Sequence, residues 1–251
     1  MQRTGSTFEE FESLARRNNA GAADRVVPVW REIVLDADTP VSAFAKLSRP
    51  PFGFLLESAP AGGETWARYT FMGTEPRSAW RLRGRLVDEW DPHHGWHTSR
   101  ESDDPLADLD QLIASAQPVD VPELGAFWTG AVGYFGYDAV GLIERLPPVP
   151  PQSSTIPDAL FVFTRSMVII DNLRSRARIV VGVIVRTNSA DSDLRQLHEE
   201  ALEEVRVIEK RLSGHGVLAA LALDPNAPVA KGRSSIARDD FIAGVERIKE
   251  Y

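Results

Sequence analysis

The stretch ALFVFTRSMVIIDNLRSRARIVVGVIVR, residues 159–186, decides the fold class of this chain. Residues 159–171 and 177–186 are rich in Val, Ile and Phe, side chains that pack well on the pleated surface of a β-sheet. The polar segment NLRSR, residues 172–176, separates the two runs and predicts the tip of a hairpin. Because so short a connection joins antiparallel neighbours, the stretch predicts an antiparallel sheet.

Shorter strand-like runs precede this hairpin in the chain. They occupy residues 29–34, 52–56, 68–72, 79–82 and 86–90. The last two runs are separated by Arg83-Gly84, a pair that suits a tight turn. Short connections between successive strands again favour antiparallel pairing.

Helix signals interrupt these strands. Thr7, with Glu10 three residues later, has the pattern of a capping box. Thr39 and Asp104 are N-cap residues, each followed by a proline and an amphipathic run. Residues 194–212 carry a long apolar stripe at helical spacing. Because helices and strands do not alternate regularly, the sequence predicts an α+β fold: packed antiparallel β-sheets, β-sandwich-like, with peripheral helices.

The chain is long enough to bury a sizeable core, with 251 residues and 43% hydrophobic content. We divide it into an N-terminal helix and lead-in (1–24), a main domain (25–213), a linker of small residues and prolines (214–234) and a final segment (235–251). The final segment has the apolar spacing of a helix, yet no C-cap glycine, proline or polar tail precedes Tyr251. We therefore expect this helix to continue in a longer protein.

Composition excludes several classes of function. The net charge of −8 argues against nucleic acid or an anionic membrane as the main partner. The absence of cysteine excludes disulfides, thiolate catalysis and thiolate-ligated metals. No run approaches the roughly 18 apolar residues of a membrane span. Glu9, Glu10 and Glu12 stand where a signal peptide needs an apolar core, so the sequence predicts a cytoplasmic protein.

The run FLLES, residues 54–58, places a carboxylate and a hydroxyl at the end of an apolar stretch that we expect to be buried. An ionised carboxylate removed from water costs several kcal/mol unless it is paired, so Glu57 needs an internal cation, a ligand's ammonium, or solvent at the strand end. A free amino acid would suit the pair: its ammonium binds Glu57, and its carboxylate binds Ser58 and strand-edge backbone groups. Arg68 could instead pair with Glu57 in a purely structural ion pair, so both interpretations stay open.

Ordered motifs carry a family resemblance. They are FLLES (54–58), ARYTFMG (67–73), GAVGYFGYD (130–138) and IERLP (143–147). In this order and at these distances, the chain from about residue 25 to 251 resembles the N-terminal domain of anthranilate synthase component I, of the chorismate-utilising enzyme family.

The resemblance implies a role for four residues. Leu56, Glu57 and Ser58 would bind tryptophan as a feedback inhibitor, and Arg68 stands where family members carry a basic residue lining the same site. Two positions depart from the family pattern: Thr129 stands where glycine is common, and Gly141 where arginine is frequent.

The resemblance also implies the activity of the whole protein. That protein would be a lyase of tryptophan biosynthesis that converts chorismate to anthranilate and pyruvate with magnesium, using ammonia from a glutamine amidotransferase subunit, component II. The family's acid/base and magnesium-binding residues lie beyond the final segment. We therefore expect no catalytic or metal-binding residue in this chain and no turnover by it alone. The alternatives are aminodeoxychorismate synthase component I of the folate pathway and a non-catalytic amino-acid-binding module.

Other candidate sites have simpler explanations. Residues 93–97, HHGWH, follow a turn signal and predict an exposed loop, not a metal site. The acidic residues 101–104 are explained as an N-cap and a solvated helix start, not as calcium ligands. The glycines of residues 130–136 lack a following Lys-Ser/Thr pair, so we assign them to close backbone approach between strands, with Tyr134 and Tyr137 packed and hydrogen-bonded.

Overall fold

The computed structural model describes residues 4–17, 24–58, 68–145, 155–186, 189–216, 218, 228 and 232–250. The chain divides into two compact units, residues 1–218 and 219–251.

Strands and helices follow one another along the described chain without regular alternation. The strands are β1 (Asp24–Val34), β2 (Gly53–Glu57), β3 (Tyr69–Thr74), β4 (Ser78–Arg83), β5 (Leu86–Asp91), β6 (Gly95–Glu101), β7 (Ala116–Pro118), β8 (Ala131–Phe135), β9 (Ala159–Phe163), β10 (Ser166–Asp171) and β11 (Arg176–Val185). The α-helices are α1 (Phe8–Arg16), α2 (Pro40–Leu47), α3 (Pro105–Ala114), α4 (Asp191–Leu212) and α5 (Arg238–Lys249). Short 3₁₀ helices lie at Pro122–Leu124 and Tyr137–Leu142.

The described strands form two packed sheets. One has six strands in the order β2-β3-β10-β11-β1-β7, and the other has five in the order β6-β5-β4-β9-β8. The α+β class is confirmed, and so is the hairpin of β10 and β11, in which Asp171 pairs with Arg176. The prediction of purely antiparallel pairing is wrong at β7, which runs parallel to β1. The reason is that the chain reaches β7 through α3 and not through a hairpin.

The run at residues 159–171 is two strands, not one. Its first part, β9, belongs to the five-stranded sheet, and its second part, β10, belongs to the six-stranded sheet. The change of sheet falls at Thr164, which is 4% exposed. The Thr164 hydroxyl accepts a hydrogen bond from the Gly130 backbone N–H (3.0 Å) and donates to the Gly130 carbonyl (3.1 Å). These two hydrogen bonds fix Thr164 at the end of β9, where the chain passes from one sheet to the other.

The six-stranded sheet is covered on both faces. Val27 of β1 is fully buried in a cluster with Phe11 of α1 and Val205 of α4. Its neighbour Val26 points to the opposite face and belongs to a second cluster with Val180 of β11. Because side chains alternate along a strand, a sheet buried on both sides needs nearly continuous apolar runs, as β10 and β11 have.

The helix starts follow the predicted caps. The Thr7 hydroxyl accepts from the Glu10 N–H at 3.3 Å, while the Glu10 carboxylate accepts from the Thr7 N–H at 3.2 Å. Thr39 begins α2 with a reciprocal bond of the same kind. Asp104 accepts from the Ala107 N–H at 3.0 Å at the start of α3. Local chemistry alone therefore sets where these helices begin.

Gly133 of β8 confirms the expected close backbone approach. A Cβ atom at this position would lie 2.0 Å from the Leu160 carbonyl oxygen and 2.7 Å from the Phe161 Cα. Tyr134 beside it donates its hydroxyl to the Pro157 carbonyl at 3.1 Å. The expected packing of Tyr137 is wrong: its side chain is 93% exposed, because the residue begins a 3₁₀ helix at the surface.

None of the described helices is long and apolar enough to cross a membrane. Within the described ranges, no group of three or more His, Asp or Glu side chains is placed to hold a metal ion. The predicted exposed loop at residues 93–97 is only partly present. Residues 92–94 form an exposed turn in which Asp91 accepts hydrogen bonds from the backbone N–H groups of His93 (2.7 Å) and His94 (3.0 Å), whereas residues 95–97 begin β6 and are half-buried.

The unit of residues 219–251 contains α5, which confirms a helix in the final segment. The described residues of α5 include no buried side chain. Its apolar side chains are instead exposed: Phe241 by 64%, Ile242 by 42%, Val245 by 40% and Ile248 by 73%.

His198 is a buried titratable group that packs in the main core. It lies on α4, is 7% exposed, and packs against the rings of Phe8 and Phe11 at centroid distances of 5.5 and 5.3 Å. Among the residues that the structure describes, its Nε2 has no hydrogen-bond partner. Burial lowers the pKa of His198, assisted by Arg195 and opposed by Glu199 and Glu9. The folded protein therefore holds this imidazole neutral.

We expect this burial to make stability depend on pH. The pKa of His198 is lower in the folded chain than in the unfolded chain, where it is about 6.5, so the unfolded state binds more protons between the two values. The stability contribution is complete above about pH 6.5 and is lost as the pH falls towards the folded pKa. Urea unfolding should therefore show that the free energy of unfolding falls less between pH 7.5 and pH 5 in His198→Leu than in the parent.

The matched control for this experiment is His215→Gln, because His215 is exposed. Its pH profile should follow that of the parent. If the free energy of unfolding depended on pH in the same way in the parent and in His198→Leu, the lowered pKa assigned to His198 would be contradicted.

Candidate functional site

The ends of three neighbouring strands meet at one corner of the six-stranded sheet. β2 is the edge strand, and its last residue Glu57 pairs with Thr70 near the start of β3. On the other side of β3, Tyr69 pairs with Asp171, the last residue of β10. The structure thus brings the predicted residues Leu56, Glu57, Ser58 and Arg68 to this end of the sheet, which we call the sheet corner.

The expectation that the FLLES run is buried is wrong, and of the three environments considered for Glu57 the structure shows solvent at the strand end. Leu56 is 44% exposed, and both Glu57 and Ser58 are exposed. β2 lies at the edge of the sheet and ends at Glu57, so water solvates the carboxylate. Within the described ranges, Glu57 has no side-chain hydrogen bond or ion pair. Its carboxylate is consequently available to a ligand.

The structural pairing of Arg68 with Glu57 is also wrong, because Arg68 pairs with Asp171. Its Nε donates to Asp171 Oδ1 at 3.0 Å and its Nη2 to Oδ2 at 2.5 Å, a bidentate arrangement. The hydrogen bonds from Arg68 are the main cause that lowers the pKa of Asp171, and the same pair raises the pKa of Arg68. The guanidinium also lies 4.8 Å from the centroid of the Tyr69 ring.

Further polar contacts hold this pair in place. Asp171 is 5% exposed and also accepts from the Leu173 N–H at 3.2 Å. Asn172 donates its backbone N–H to the Arg68 carbonyl at 2.9 Å and its side-chain amide to the Thr70 hydroxyl at 3.1 Å. Thr70 is fully buried. Arg68 is therefore anchored to the turn that follows β10.

Sequence reasoning missed Asp171, although a signal was present. Asp171 is a carboxylate at the end of the apolar run of β10, the same pattern that drew attention to Glu57. The two carboxylates differ in strand position: β10 lies inside the sheet and β2 lies at its edge. The interior carboxylate needs a cation, and the edge carboxylate does not.

Aromatic side chains adjoin the sheet corner. Phe71, which pairs with Leu56 across the strands, lies 6.4 Å from the Tyr69 ring and 5.4 Å from the Phe127 ring, the latter in an edge-to-face arrangement. The aromatic surface lies on the face of the sheet to which Leu56 points, and the exposed carboxylate of Glu57 lies at the strand end on the opposite face. A carboxylate, a hydroxyl and aromatic surface are groups that can bind the ammonium, carboxylate and side chain of an aromatic amino acid.

Comparison with known proteins gives consistent family matches. A family model described as chorismate binding enzyme matches residues 71–251. Anthranilate synthase component 1 of Aquifex aeolicus (strain VF5) is 30% identical over 246 residues, which cover 98% of this chain and 47% of that protein. Anthranilate synthase component 1 of Pseudomonas putida is 34% identical over 251 residues, covering 97% and 47%.

Among solved structures, anthranilate synthase component I from Streptococcus pneumoniae TIGR4 aligns with a TM-score of 0.47 and 22% identity, covering 87% of this chain and 44% of that chain. This chain spans about half the length of the curated relatives it matches.

Proposed function

This chain belongs to the chorismate-binding enzyme family, and on that premise we propose that it is the tryptophan-binding, feedback-regulatory part of an anthranilate synthase component I. The observation that carries the proposal is the sheet corner, where Glu57 and Ser58 stand exposed at the end of an edge strand.

Glu57 binds the ammonium of tryptophan, since charge-assisted hydrogen bonds are stronger than neutral ones. Ser58 and the unpaired backbone groups at the edge of β2 bind the carboxylate, and Leu56 contacts the side chain. Arg68 acts as a positioning residue, because its charge is already balanced by Asp171.

The proposal extends to the whole protein. That protein converts chorismate to anthranilate and pyruvate in tryptophan biosynthesis, in the cytoplasm, with ammonia from a glutamine amidotransferase subunit, component II. We assign the magnesium ion and the catalytic residues of this reaction to the part of the relatives' length that this chain does not span. Purified, the 251-residue chain should show no chorismate turnover above a buffer control.

The product formed by the full-length protein distinguishes the two enzymes. Aminodeoxychorismate in place of anthranilate would identify the folate-pathway enzyme.

Ser58→Ala and Glu57→Gln in the full-length protein should relieve tryptophan inhibition. Loss of one hydrogen bond to a charged ligand group costs about 1.5–3 kcal/mol, which corresponds to an inhibitor bound roughly ten- to hundredfold more weakly. The KM and kcat for chorismate should stay nearly unchanged. The measurement is the inhibition constant for tryptophan in a steady-state assay of anthranilate formation.

Ser192→Ala is the matched control, because Ser192 is an exposed serine in the first turn of α4. It should leave inhibition unaltered. If Ser58→Ala and Glu57→Gln behave like this control, or lower the melting temperature while inhibition stays intact, the sheet corner has a structural role only.

A further inference from the structure

A second group of charged residues lines a cleft away from the sheet corner. The cleft has a volume of about 610 Å³ and is bordered by residues of β1, β4, β5, β11, α3 and β7. The charged side chains that line it are Arg77, Glu89 and Asp91, with His97 beside them. None of the four residues of the sheet corner borders this cleft.

Arg77 is a half-buried cation that forms no ion pair within the described ranges, although the charge of Glu204 acts on it at longer range. Its Nε donates to the Thr164 carbonyl at 3.0 Å and its Nη2 to the Gly182 carbonyl at 2.9 Å. In the described part of the chain, no carboxylate lies within ion-pair distance of its guanidinium. Burial lowers the pKa of Arg77 to about 10, so it stays protonated at neutral pH. Two backbone carbonyls orient this guanidinium, and neither neutralises its charge.

Glu89 is the complementary group. It lies on β5 opposite Trp80 of β4 and has neither a side-chain hydrogen bond nor an ion pair among the residues that the structure describes. Arg77 and Glu89 both line the cleft, and no ion pair joins them in the described part of the chain.

Asp91 differs from Glu89 because it is already engaged. Its carboxylate accepts hydrogen bonds from the backbone N–H groups of His93 and His94, and His94 Nδ1 lies 3.0 Å away. These bonds, with that of the His94 side chain largest, lower the pKa of Asp91 to about 2. Glu89 is thus the carboxylate of the cleft that retains its full capacity for a ligand.

The remaining surface of the cleft is largely apolar. Trp90 is 9% exposed, and Phe163 and Leu112 contribute aromatic and aliphatic surface. Ile184 is 39% exposed, which leaves apolar area uncovered inside the cleft. An occupant with an apolar body would remove this area from water.

We propose that this cleft binds a small zwitterion with an apolar side chain, such as a free amino acid, with Arg77 holding its carboxylate and Glu89 its ammonium. A simple anion would satisfy Arg77 and leave Glu89 unpaired, and a dianion would be repelled by Glu89 and Asp91. A simple amine would satisfy Glu89 and leave Arg77 unpaired. A ligand with both charges balances both residues at once.

Three probes with the same phenyl ring test the proposal on the full-length protein by isothermal titration calorimetry. L-Phenylalanine carries both charges, 3-phenylpropionate only the carboxylate, and phenethylamine only the ammonium. L-Phenylalanine should bind most tightly. Arg77→Met should weaken binding of L-phenylalanine and 3-phenylpropionate at least tenfold. Glu89→Gln should reduce the affinity for L-phenylalanine to that for 3-phenylpropionate, and it should leave the affinity for 3-phenylpropionate unchanged.

Controls separate this site from the sheet corner. Glu57→Gln should leave the binding that depends on Arg77 and Glu89 unaltered. The test of ligand binding in the cleft is therefore independent of the test of the proposed inhibitor site. If Arg77→Met does not fold, Arg77→Lys replaces it as the variant that keeps the charge. The proposal is then decided by the binding measured for Glu89→Gln. Equal affinity for L-phenylalanine and 3-phenylpropionate, no binding of any probe, or parent-like binding in Glu89→Gln would each overturn the proposal.

Discussion

Gly133→Ala is expected to lower the free energy of unfolding by about 3 kcal/mol, the upper part of the usual range for overpacking. The added methyl group would lie 2.0 Å from the Leu160 carbonyl oxygen and 2.7 Å from the Phe161 Cα. Both are backbone atoms of the neighbouring strand β9, so no side-chain rotation relieves the contact. β8 and β9 must separate or lose hydrogen bonds. Urea unfolding at pH 7, followed by tryptophan fluorescence, measures the loss.

Gly141→Ala is the matched control. An added Cβ at Gly141 has no atom within 4 Å, and the residue lies in a short 3₁₀ helix without the positive φ that favours glycine. Its effect should stay within about 0.5 kcal/mol. Similar losses in the two variants would show that the strain does not come from the β8–β9 contact.

The glycine motif illustrates what sequence alone could predict. A glycine inside a strand pattern indicates close backbone approach, and Gly133 fulfils that expectation. The caps of α1, α2 and α3 were equally predictable, because each depends on groups within three residues of one another. Local chemistry of this kind is complete in the sequence.

Contacts between distant residues were not predictable in the same way. Arg68 and Asp171 are 103 positions apart, and only the order of β2, β3 and β10 in the sheet brings them together. The division of residues 159–171 between two sheets depends on the bonds that Thr164 makes with Gly130. In both cases the sequence contained a signal: the carboxylate of Asp171, or the polar pair Thr164-Arg165, inside an apolar run. The residue that each one contacts is set by the sheet topology.

The environment of the candidate residues was not predictable from the sequence. The family resemblance grouped Leu56, Glu57, Ser58 and Arg68 in one site, and the register of β2 with β3 places them at one end of the sheet. Whether Glu57 was buried depended on its strand lying at the edge of the sheet, and a single pentapeptide carries no information on strand order. The exposure of Glu57 changes its role from a charge that needs a partner to a charge that a ligand can bind.

Arg68→Met should destabilise the protein by about 2–3 kcal/mol, because it leaves the carboxylate of Asp171 buried without its guanidinium. Asp171 would retain the Leu173 N–H, which offsets part of the cost. Replacing both partners, in Arg68→Met with Asp171→Leu, should recover part of the loss, since no unpaired charge remains. A double-mutant cycle from urea unfolding measures the coupling between the two side chains.

The pH dependence of the same variant gives a second readout. The pKa of Asp171 is lowered in the folded protein, mainly by its hydrogen bonds with Arg68. The stability from a carboxyl with a lowered pKa is complete above its unfolded pKa of about 3.9 and is lost as the pH falls through the folded pKa. The deficit of Arg68→Met relative to the parent should therefore be largest near pH 7 and should narrow as the pH falls below about 4.

Glu57→Gln is the control that separates stability from ligand binding at the sheet corner. Its carboxylate is exposed and unpaired within the described ranges, so its effect on unfolding should stay within about 0.5 kcal/mol. If Arg68 positions the corner through Asp171, Arg68→Met loses stability and tryptophan inhibition together, while Glu57→Gln loses inhibition alone. An Arg68→Met protein that unfolds like the parent but escapes inhibition would instead place the guanidinium in direct contact with the inhibitor, and Asp171 would then serve only to orient it.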